Sequence, residues 1–271
     1  MSDYLIHDST LDDIADAIRA KTGGSSLIAP EDMPTEIASI SSGTTITDGI
    51  VVKARNANGY PTEIDFYGTS VSDYLFGQGS NNTVGWMYLA TVNYKTAVTQ
   101  LGTYSFAYAG RDSNAPCPIP STLTGAARGA FYGSHFVSAV FPTSFTARLA
   151  DNIFTYNSKL ISVVAPCVTS LALSGGSGNG QFYSCTGLQT VEIGSIGYGV
   201  TNSSQYSFRN CTQTGLTITM YTIGSYVDTL VSNIRTGATN ATIIIKASET
   251  TTYNGTTYNA GDTILTSEVT S

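Results

Sequence analysis

At 271 residues the chain is long enough for two or three modules, and a hydrophobic content of 41% excludes a chain that is disordered for lack of apolar side chains. Charged residues make up only 11% of the sequence, against about 25% in ordinary globular proteins. The formal net charge of −7 argues against nucleic-acid binding through phosphates, which needs a basic surface. The many Thr, Ser, Asn, Gly and Tyr residues favour short strands joined by tight turns.

Three further features bear on where the protein works. The first residues show neither a basic nor an apolar segment, so we expect no secretory signal. No run of about 18 apolar residues is present, so we expect no membrane insertion. The four cysteines lie far apart in the sequence, and in a reducing cytosol we expect them to form no disulfides. They are Cys117, Cys167, Cys185 and Cys211.

The first predicted element is an amphipathic helix that begins after Ser9, a capping residue, and ends at Gly23. Its apolar residues recur three and four positions apart, which places them on one side of a helix. They are Leu11, Ile14, Ala15 and Ile18. A second, shorter helix is predicted to start near Asp32 and to turn its apolar residues inward. These are Met33, Ile37 and Ile40. Helices this short are marginal alone, so both apolar faces should be buried.

Three segments of this region, residues 10–23, 28–34 and 36–40, resemble a recurrent N-terminal module of phage and prophage structural proteins, mostly tail proteins, from Gram-positive bacteria. The resemblance rests on the order of the helix, the glycine break and the Pro-Glu-Asp-Met-Pro segment at residues 30–34. It implies a virion protein. Residues 1–43 would be a helical assembly module that packs its apolar faces against other virion proteins.

Residues 44–110 are predicted to form a domain rich in β-hairpins. Ile50–Arg55 and residues 60–66 flank the sequence Asn-Ala-Asn-Gly at 56–59, which is typical of a hairpin turn. Residues 74–108 continue as short β-like fragments that are rich in Tyr and Phe.

The middle of the chain, residues 111–223, contains a repeat. Its units are anchored by phenylalanines that follow one another after 23, 28 and 26 residues, a period typical of leucine-rich solenoids. The anchors are Phe131, Phe154, Phe182 and Phe208. A small side chain with hydrogen-bonding capacity lies three residues after each anchor, as a buried and stacked turn position requires. These side chains belong to Ser134, Asn157, Cys185 and Cys211.

The repeat resembles the BspA-type leucine-rich repeat, whose core reads Ala-Phe-x-x-Cys-x-x-Leu-x-x-Val. The sequence at 185–191, Cys-Thr-Gly-Leu-Gln-Thr-Val, matches that core, and the resemblance spans about residues 125–221, with Phe106 as an alternative first anchor. Phe136 replaces a leucine two positions early, and two residues are inserted before Leu216. The expected fold is therefore mainly β, with a small N-terminal helical module and an irregular leucine-rich-repeat-like solenoid body.

Residues 224–271 are predicted to cover the last open coil, which a solenoid requires. We expect one short helix, a strand at 242–246 and a hairpin at 253–258. The apolar residues of the helix are Val227, Leu230, Val231 and Ile234.

The sequence offers little for catalysis. Only His7 and His135 are present, so the cysteines have few partners that could activate them as nucleophiles. Between residues 114 and 191 Asp151 is the only carboxylate, whereas glycoside hydrolysis needs a pair. The glycine-rich segment 175–180 lacks the Gly-Lys-Ser/Thr ending of a phosphate loop. We expect no enzyme activity, no metal and no cofactor.

Surface recognition is the remaining possibility. The residues that directly follow the four anchors could share one exposed face of the solenoid, and tyrosine gives a large contact area with few rotatable bonds. These residues are Tyr132, Thr155, Tyr183 and Arg209, of which the two tyrosines and the arginine are the candidate binding residues. The alternative is that the tyrosines are half-buried packing residues.

Together these features predict a phage virion protein, made in the host cytoplasm and displayed on the particle as a tail-fibre, baseplate or receptor-binding component. The expected partners are other virion proteins and a glycan or protein of the host surface. A homo-oligomer, with a trimer as one form, is implied by resemblance to phage fibres alone. The alternatives are a head fibre or capsid decoration protein, a bacterial cell-surface adhesin and a polysaccharide depolymerase.

Overall fold

The computed structural model describes most of the chain after residue 48. The described residues are 49–77, 86–168, 180–195, 207–222, 231, 234–253 and 255–264. The chain divides into two units, Met1–Gly49 and Ile50–Ser271. The predicted helical assembly module and its apolar faces lie outside the described residues. The described part is mainly β, as the sequence predicts, and contains no helix long and apolar enough to cross a membrane.

Fourteen strands lie within the described ranges. They are β1 (Ile50–Arg55), β2 (Pro61–Phe66), β3 (Ser70–Val71), β4 (Thr91–Tyr94), β5 (Gln100–Leu101), β6 (Gly125–Ala126), β7 (Ser138–Val140), β8 (Ser162–Ala165), β9 (Thr190–Ser195), β10 (Thr217–Thr222), β11 (Thr242–Ala247), β12 (Thr251–Tyr253), β13 (Thr256–Tyr258) and β14 (Thr263–Ile264). The sheets have the strand orders β1-β2-β4, β3-β5-β6, β14-β11-β10-β9-β8-β7 and β12-β13.

The predicted hairpin at 50–66 is confirmed. Strands β1 and β2 are antiparallel, and the turn between them is closed by the side-chain amide oxygen of Asn56, which accepts hydrogen bonds from the backbone amides of Asn58 and Tyr60 at 3.0 Å each. Gly59 has φ +81°, a left-handed conformation that glycine adopts at little cost. Strand β4 then pairs with β2 in parallel.

The six-stranded sheet is the sheet of a solenoid. Strands β7 to β11 are parallel and pair in sequence order, so each coil of the chain adds one strand beside the preceding one. The register places one aliphatic residue of each strand opposite an aliphatic residue of the neighbouring strand. These residues are Ala139, Val163, Val191, Ile218 and Ile243. The last parallel strand is β11. Strand β14 pairs with it in the antiparallel direction, on the side away from β10.

A column of six buried phenylalanines runs through the coils. The rings stack nearly parallel on one another, with centroids 4.9 to 5.7 Å apart and interplanar angles of 9° to 29°. The phenylalanine column consists of Phe76, Phe106, Phe131, Phe154, Phe182 and Phe208. The four predicted anchors therefore share one stack, and the stack begins two coils earlier than they do. The first two coils are 30 and 25 residues long.

Because Phe76 and Phe106 belong to the column, the coils begin inside the segment 44–110, which the sequence assigns to a hairpin-rich domain. Strands β3, β5 and β6 form a parallel sheet in these early coils. The boundaries of the four predicted segments stay a prediction.

The phenylalanines lie in tight turns. At nine described positions, the residue two before or two after the phenylalanine adopts a left-handed backbone conformation, with φ between 52° and 65°. Two residues before the phenylalanine these are Tyr74, Tyr104, Gly129 and Asn152. Two residues after it they are Tyr108, Gly133, Tyr156, Ser184 and Asn210. Non-glycine residues rarely adopt this conformation, so its recurrence shows that these coils use a similar turn.

Backbone hydrogen bonds join each turn to the next on both sides of the phenylalanine. The amide of Phe131 donates to the carbonyl of Ile153 at 2.9 Å, and the amide of Gly133 donates to the carbonyl of Thr155 at 2.7 Å. Equivalent bonds recur along the column at 2.7 to 2.9 Å. The turns are thus a hydrogen-bonded stack, which gives the surface side chains of the turns a rigid base.

The small polar side chains three residues after the anchors are buried, as the repeat predicts. The Asn157 side-chain amide donates to Ser134 Oγ at 2.9 Å, and the Cys185 and Cys211 thiols donate to carbonyls one coil earlier at 3.0 Å. Burial raises the pKa of the Cys185 thiol well above its usual range and that of Cys211 to about 12, so both stay protonated at neutral pH. All four cysteines are free thiols.

The C-terminal elements match the sequence prediction where they are described. Residues 234–237 are helical, and Val231 and Ile234 are buried, whereas residues 227 and 230 lie outside the described ranges. The strand predicted at 242–246 is β11, and the predicted hairpin is formed by the antiparallel strands β12 and β13. The role of this region as a cap stays a prediction.

Candidate functional site: a tyrosine ribbon on the coil turns

Six tyrosines of successive turns contact one another and form a continuous aromatic surface, which we call the tyrosine ribbon. It consists of Tyr74, Tyr104, Tyr108, Tyr132, Tyr156 and Tyr183. Each of them lies one or two residues from a phenylalanine of the buried column. The same turns therefore supply both the interior stack and the ribbon.

Four of the five ring contacts in the ribbon are edge to face, and the fifth, between Tyr74 and Tyr104, is stacked. Tyr132 contacts Tyr104, Tyr108 and Tyr156 with centroids 5.5 to 5.7 Å apart and interplanar angles of 78° to 88°. Tyr156 contacts Tyr183 in the same way at 5.4 Å. Such arrangements place the positive edge of one ring on the negative face of another and contribute about 0.5–1.5 kcal/mol per pair. The ribbon is consequently ordered before any ligand binds.

Exposure divides the ribbon into two kinds of tyrosine. Tyr74, Tyr108 and Tyr156 are 46%, 41% and 50% exposed, whereas the other three are only partly exposed. The partly exposed Tyr132 supports the exposed rings of Tyr108 and Tyr156 on its two sides. The exposed rings are therefore the ones best placed to contact a ligand.

Two glycines make room for the ribbon. A Cβ on Gly129 would lie 2.4 Å from the ring of Tyr104, and a Cβ on Gly133 would lie 2.6 Å from the ring of Tyr108. Both glycines also have positive φ, +65° and +58°. The tyrosines of one coil thus lie directly over the backbone of the next coil.

Burial, together with the neighbouring Tyr108, Tyr156 and Tyr104, raises the pKa of Tyr132 to about 12. Arg209 lies at the C-terminal end of the ribbon, with its guanidinium carbon 6.0 Å from the centroid of the Tyr183 ring, a cation–π distance. Asp73, Arg128 and Asp151 directly precede three of the turns.

The BspA type leucine rich repeat family model matches this chain in six copies, over residues 69–214 and 177–246. The matches together cover more than half of the chain. The chain belongs to the BspA-type leucine-rich repeat family. No curated protein and no solved structure matches the chain.

The family match confirms the leucine-rich-repeat resemblance, and its start at residue 69 agrees with a phenylalanine column that begins at Phe76. It supports a repeat protein of the surface or adhesion type. The resemblance of residues 10–40 to a virion module rests on the N-terminal sequence alone.

The residue after each anchor does not share one exposed face in this BspA-type chain. Tyr132 and Tyr183 are half-buried and Arg209 is exposed, but Thr155 is buried because its hydroxyl turns inward and donates to the carbonyl of Gly180 at 2.7 Å. The binding role predicted for Tyr132, Tyr183 and Arg209 stays a prediction. The structure brings these three residues into one surface.

Sequence reasoning missed four members of the ribbon, Tyr74, Tyr104, Tyr108 and Tyr156. They lie two residues before or after an anchor, so the available signal was the pairing of Tyr and Phe at that spacing. Their left-handed backbone is unusual for tyrosine, and only the turn geometry shows that these positions point to the same surface.

The other candidate groups have structural surroundings. His135 is half-buried, and burial together with the nearby Lys159 and Arg111 lowers its pKa. Burial raises the pKa of Asp151, against the opposing effect of Arg148. Within the described ranges no three His, Cys, Asp or Glu side chains come together as a metal site would require.

Proposed function

We propose that this chain is a phage virion protein that binds the host surface through the tyrosine ribbon. One observation carries the recognition role: three tyrosines are held 41–50% exposed on a rigid stack of turns. Exposed aromatic side chains cost solvation free energy, and Tyr is enriched where proteins bind partners. A tyrosine that is already ordered loses little conformational entropy on binding.

The virion setting is supported by the N-terminal sequence. Residues 1–43 would attach the chain to other proteins of a tail fibre or baseplate, and the repeat body would be displayed outward. A homo-oligomer, with a trimer as one form, fits this setting. The host cytoplasm would be the site of synthesis and the particle surface the place of action.

Binding to host cells tests the recognition role. The purified full-length chain carrying Tyr108→Ala and Tyr156→Ala together should bind host cells much more weakly than the unchanged chain, because both exposed rings of the central ribbon are removed. Tyr67→Ala is the matched control, since Tyr67 is 43% exposed but has no ring contact with the ribbon in the described structure. Equal binding by all three proteins would contradict the role of the ribbon.

Incorporation into particles tests the virion role. A chain that lacks residues 1–43 should fold its repeat body yet be absent from purified particles. Its incorporation at the normal level would refute the assembly role of this segment. Labelled particles seen by electron microscopy would distinguish a tail component from a head fibre or capsid decoration protein.

A second candidate, which fits the family match equally well, is a bacterial cell-surface adhesin with the same repeats. Such a protein would be found on the bacterial envelope in cells that release no particles. Fractionation of those cells separates the two functions, because the virion hypothesis places the chain in released particles.

A further inference from the structure

We infer that the ligand of the tyrosine ribbon is a neutral linear glycan, which lies along the ribbon in the direction in which the coils stack. This inference rests on the recognition role proposed above and names the class of the ligand. Three features of the ribbon support it: the continuity of its rings, the chemistry of the rings and the lack of a row of like charges.

The continuity of the ribbon favours an extended ligand. Neighbouring rings lie 5.4 to 5.7 Å apart along the whole series from Tyr74 to Tyr183. The exposed rings of Tyr108 and Tyr156 both contact the half-buried Tyr132 that lies between them. An extended chain of sugar units can follow the turns and pack on both exposed rings.

The rings suit the two kinds of surface that a pyranose presents. A pyranose ring has faces of C–H groups, which pack on the negative face of an aromatic ring, and a rim of hydroxyl groups. Tyrosine adds a phenol hydroxyl that can donate to or accept from that rim. Because the pKa of Tyr132 is raised to about 12, its hydroxyl keeps its proton at neutral pH.

The charge of the turns selects a neutral polymer. Arg209 lies at the C-terminal end of the ribbon beside Tyr183. The charged residues that directly precede the turns, Asp73, Arg128 and Asp151, have mixed signs and form no row of one charge. A polyanion would require a row of basic side chains, and a basic peptide would require a row of carboxylates.

Calorimetric titration of the full-length protein tests the inference. The probes are three linear neutral oligosaccharides, namely hexamers of β-1,4-linked N-acetylglucosamine, of β-linked glucose and of α-1,4-linked glucose, together with neutral polysaccharide purified from the wall of the host. At least one probe should bind, and its affinity should rise with chain length because a longer glycan covers more rings. Tyr108→Asn combined with Tyr156→Asn should lower the affinity about tenfold or more.

These substitutions and their controls separate ring loss from misfolding. Asparagine occupies the same left-handed turn position at Asn210, so it fits the backbone at residues 108 and 156. Tyr108→Phe with Tyr156→Phe should keep most of the affinity, because the rings remain, and Tyr67→Ala should leave the affinity unchanged.

The outcomes distinguish the two proposals. If host cells bind the protein through the ribbon but no glycan probe does, a neutral glycan is the wrong ligand class. If a glycan binds with the same affinity after the double substitution, the ribbon is the wrong site. If neither cells nor glycans bind, the recognition role itself fails.

Discussion

The phenylalanine column and the tyrosine ribbon are made by the same turns but follow different rules. All six turns place a buried phenylalanine on the column, with nearly parallel rings. The ribbon varies: four of its ring pairs meet edge to face and one pair, Tyr74 and Tyr104, stacks. Some positions are glycine, and the last turns carry Ser184 and Asn210 where earlier turns carry Tyr108 and Tyr156. A repeat scaffold that requires a buried phenylalanine in every coil leaves the neighbouring surface positions free to vary.

The difference between the two regions also explains their environments. The four inner phenylalanines of the column each have a ring above and below them, and all six are buried, so the column contributes through burial and packing. A tyrosine of the ribbon keeps a polar end in water and one ring surface partly uncovered. We therefore expect substitutions in the column to change stability, and substitutions in the ribbon to change binding.

The largest effect is expected from Phe154→Ala. The ring of Phe154 stacks on Phe131 and Phe182 and is fully buried, so its removal leaves a cavity in the middle of the column. The free energy of unfolding should fall by about 3–5 kcal/mol, measured by denaturant titration. Ile161→Ala, at a residue 43% exposed, is the control and should cost far less. Similar losses for the two variants would show that the column does not stabilise the coils.

Gly133→Ala tests the contact between the two regions. An alanine at this positive φ should lower the free energy of unfolding by about 1–2 kcal/mol. The added Cβ must also displace the ring of Tyr108. The matched control is Gly215→Ala, because Gly215 has φ +84° and nothing within 4 Å of an added Cβ. Unfolding measurements should show a larger loss for Gly133→Ala, and host-cell binding should fall for that variant alone. If both lose equal stability and binding persists, Tyr108 does not depend on Gly133.

Asn157→Ala tests the polar side chains beneath the column. It removes the hydrogen bond from the Asn157 amide to Ser134 Oγ and should lower the free energy of unfolding by about 1 kcal/mol or slightly more. Asn157→Cys introduces the residue that the equivalent positions carry at Cys185 and Cys211, and its loss should be smaller. Thermal unfolding of the two variants compares them directly. A cysteine that destabilises more than alanine would contradict the equivalence of these positions.

The smallest effect is expected from pH. The pKa of Tyr132 is about 12 in the folded chain, compared with 10.0 for an ordinary tyrosine, so the folded state holds this proton more tightly. Its contribution to stability is present below about pH 10 and is lost as the pH rises from 10 to 12. Stability measured over this range should fall less steeply for Tyr132→Phe. An unchanged slope would show that Tyr132 titrates normally in the folded chain.

Sequence reasoning found the elements whose signals are local or periodic. The hairpin at 50–66 followed from its Asn-Gly turn, and four anchors of the column followed from Phe spacing and the small residue three positions later. It missed Phe76 and gave Phe106 only as an alternative first anchor, because the strands of the earliest coils are two residues long, against three to six residues in the later ones. Periodicity identifies the regular coils in the middle of the repeat but not the irregular coils at its start.

The ribbon was harder to predict because it depends on the direction of side chains in a tight turn. Thr155 and Tyr132 occupy equivalent positions after their anchors, yet one hydroxyl is buried and the other ring reaches the surface. That choice depends on a carbonyl supplied by a residue 25 positions away, which the local sequence does not reveal.

The unequal lengths of the coils have a consequence for evolution. Successive anchors of the column are 23 to 30 residues apart, yet their rings stay stacked within 5.7 Å. Insertions and deletions are therefore accommodated in the connections between turns, where loop length has only a small entropic cost. A lineage could acquire new surface segments through changes in these connections while inheriting the same interior.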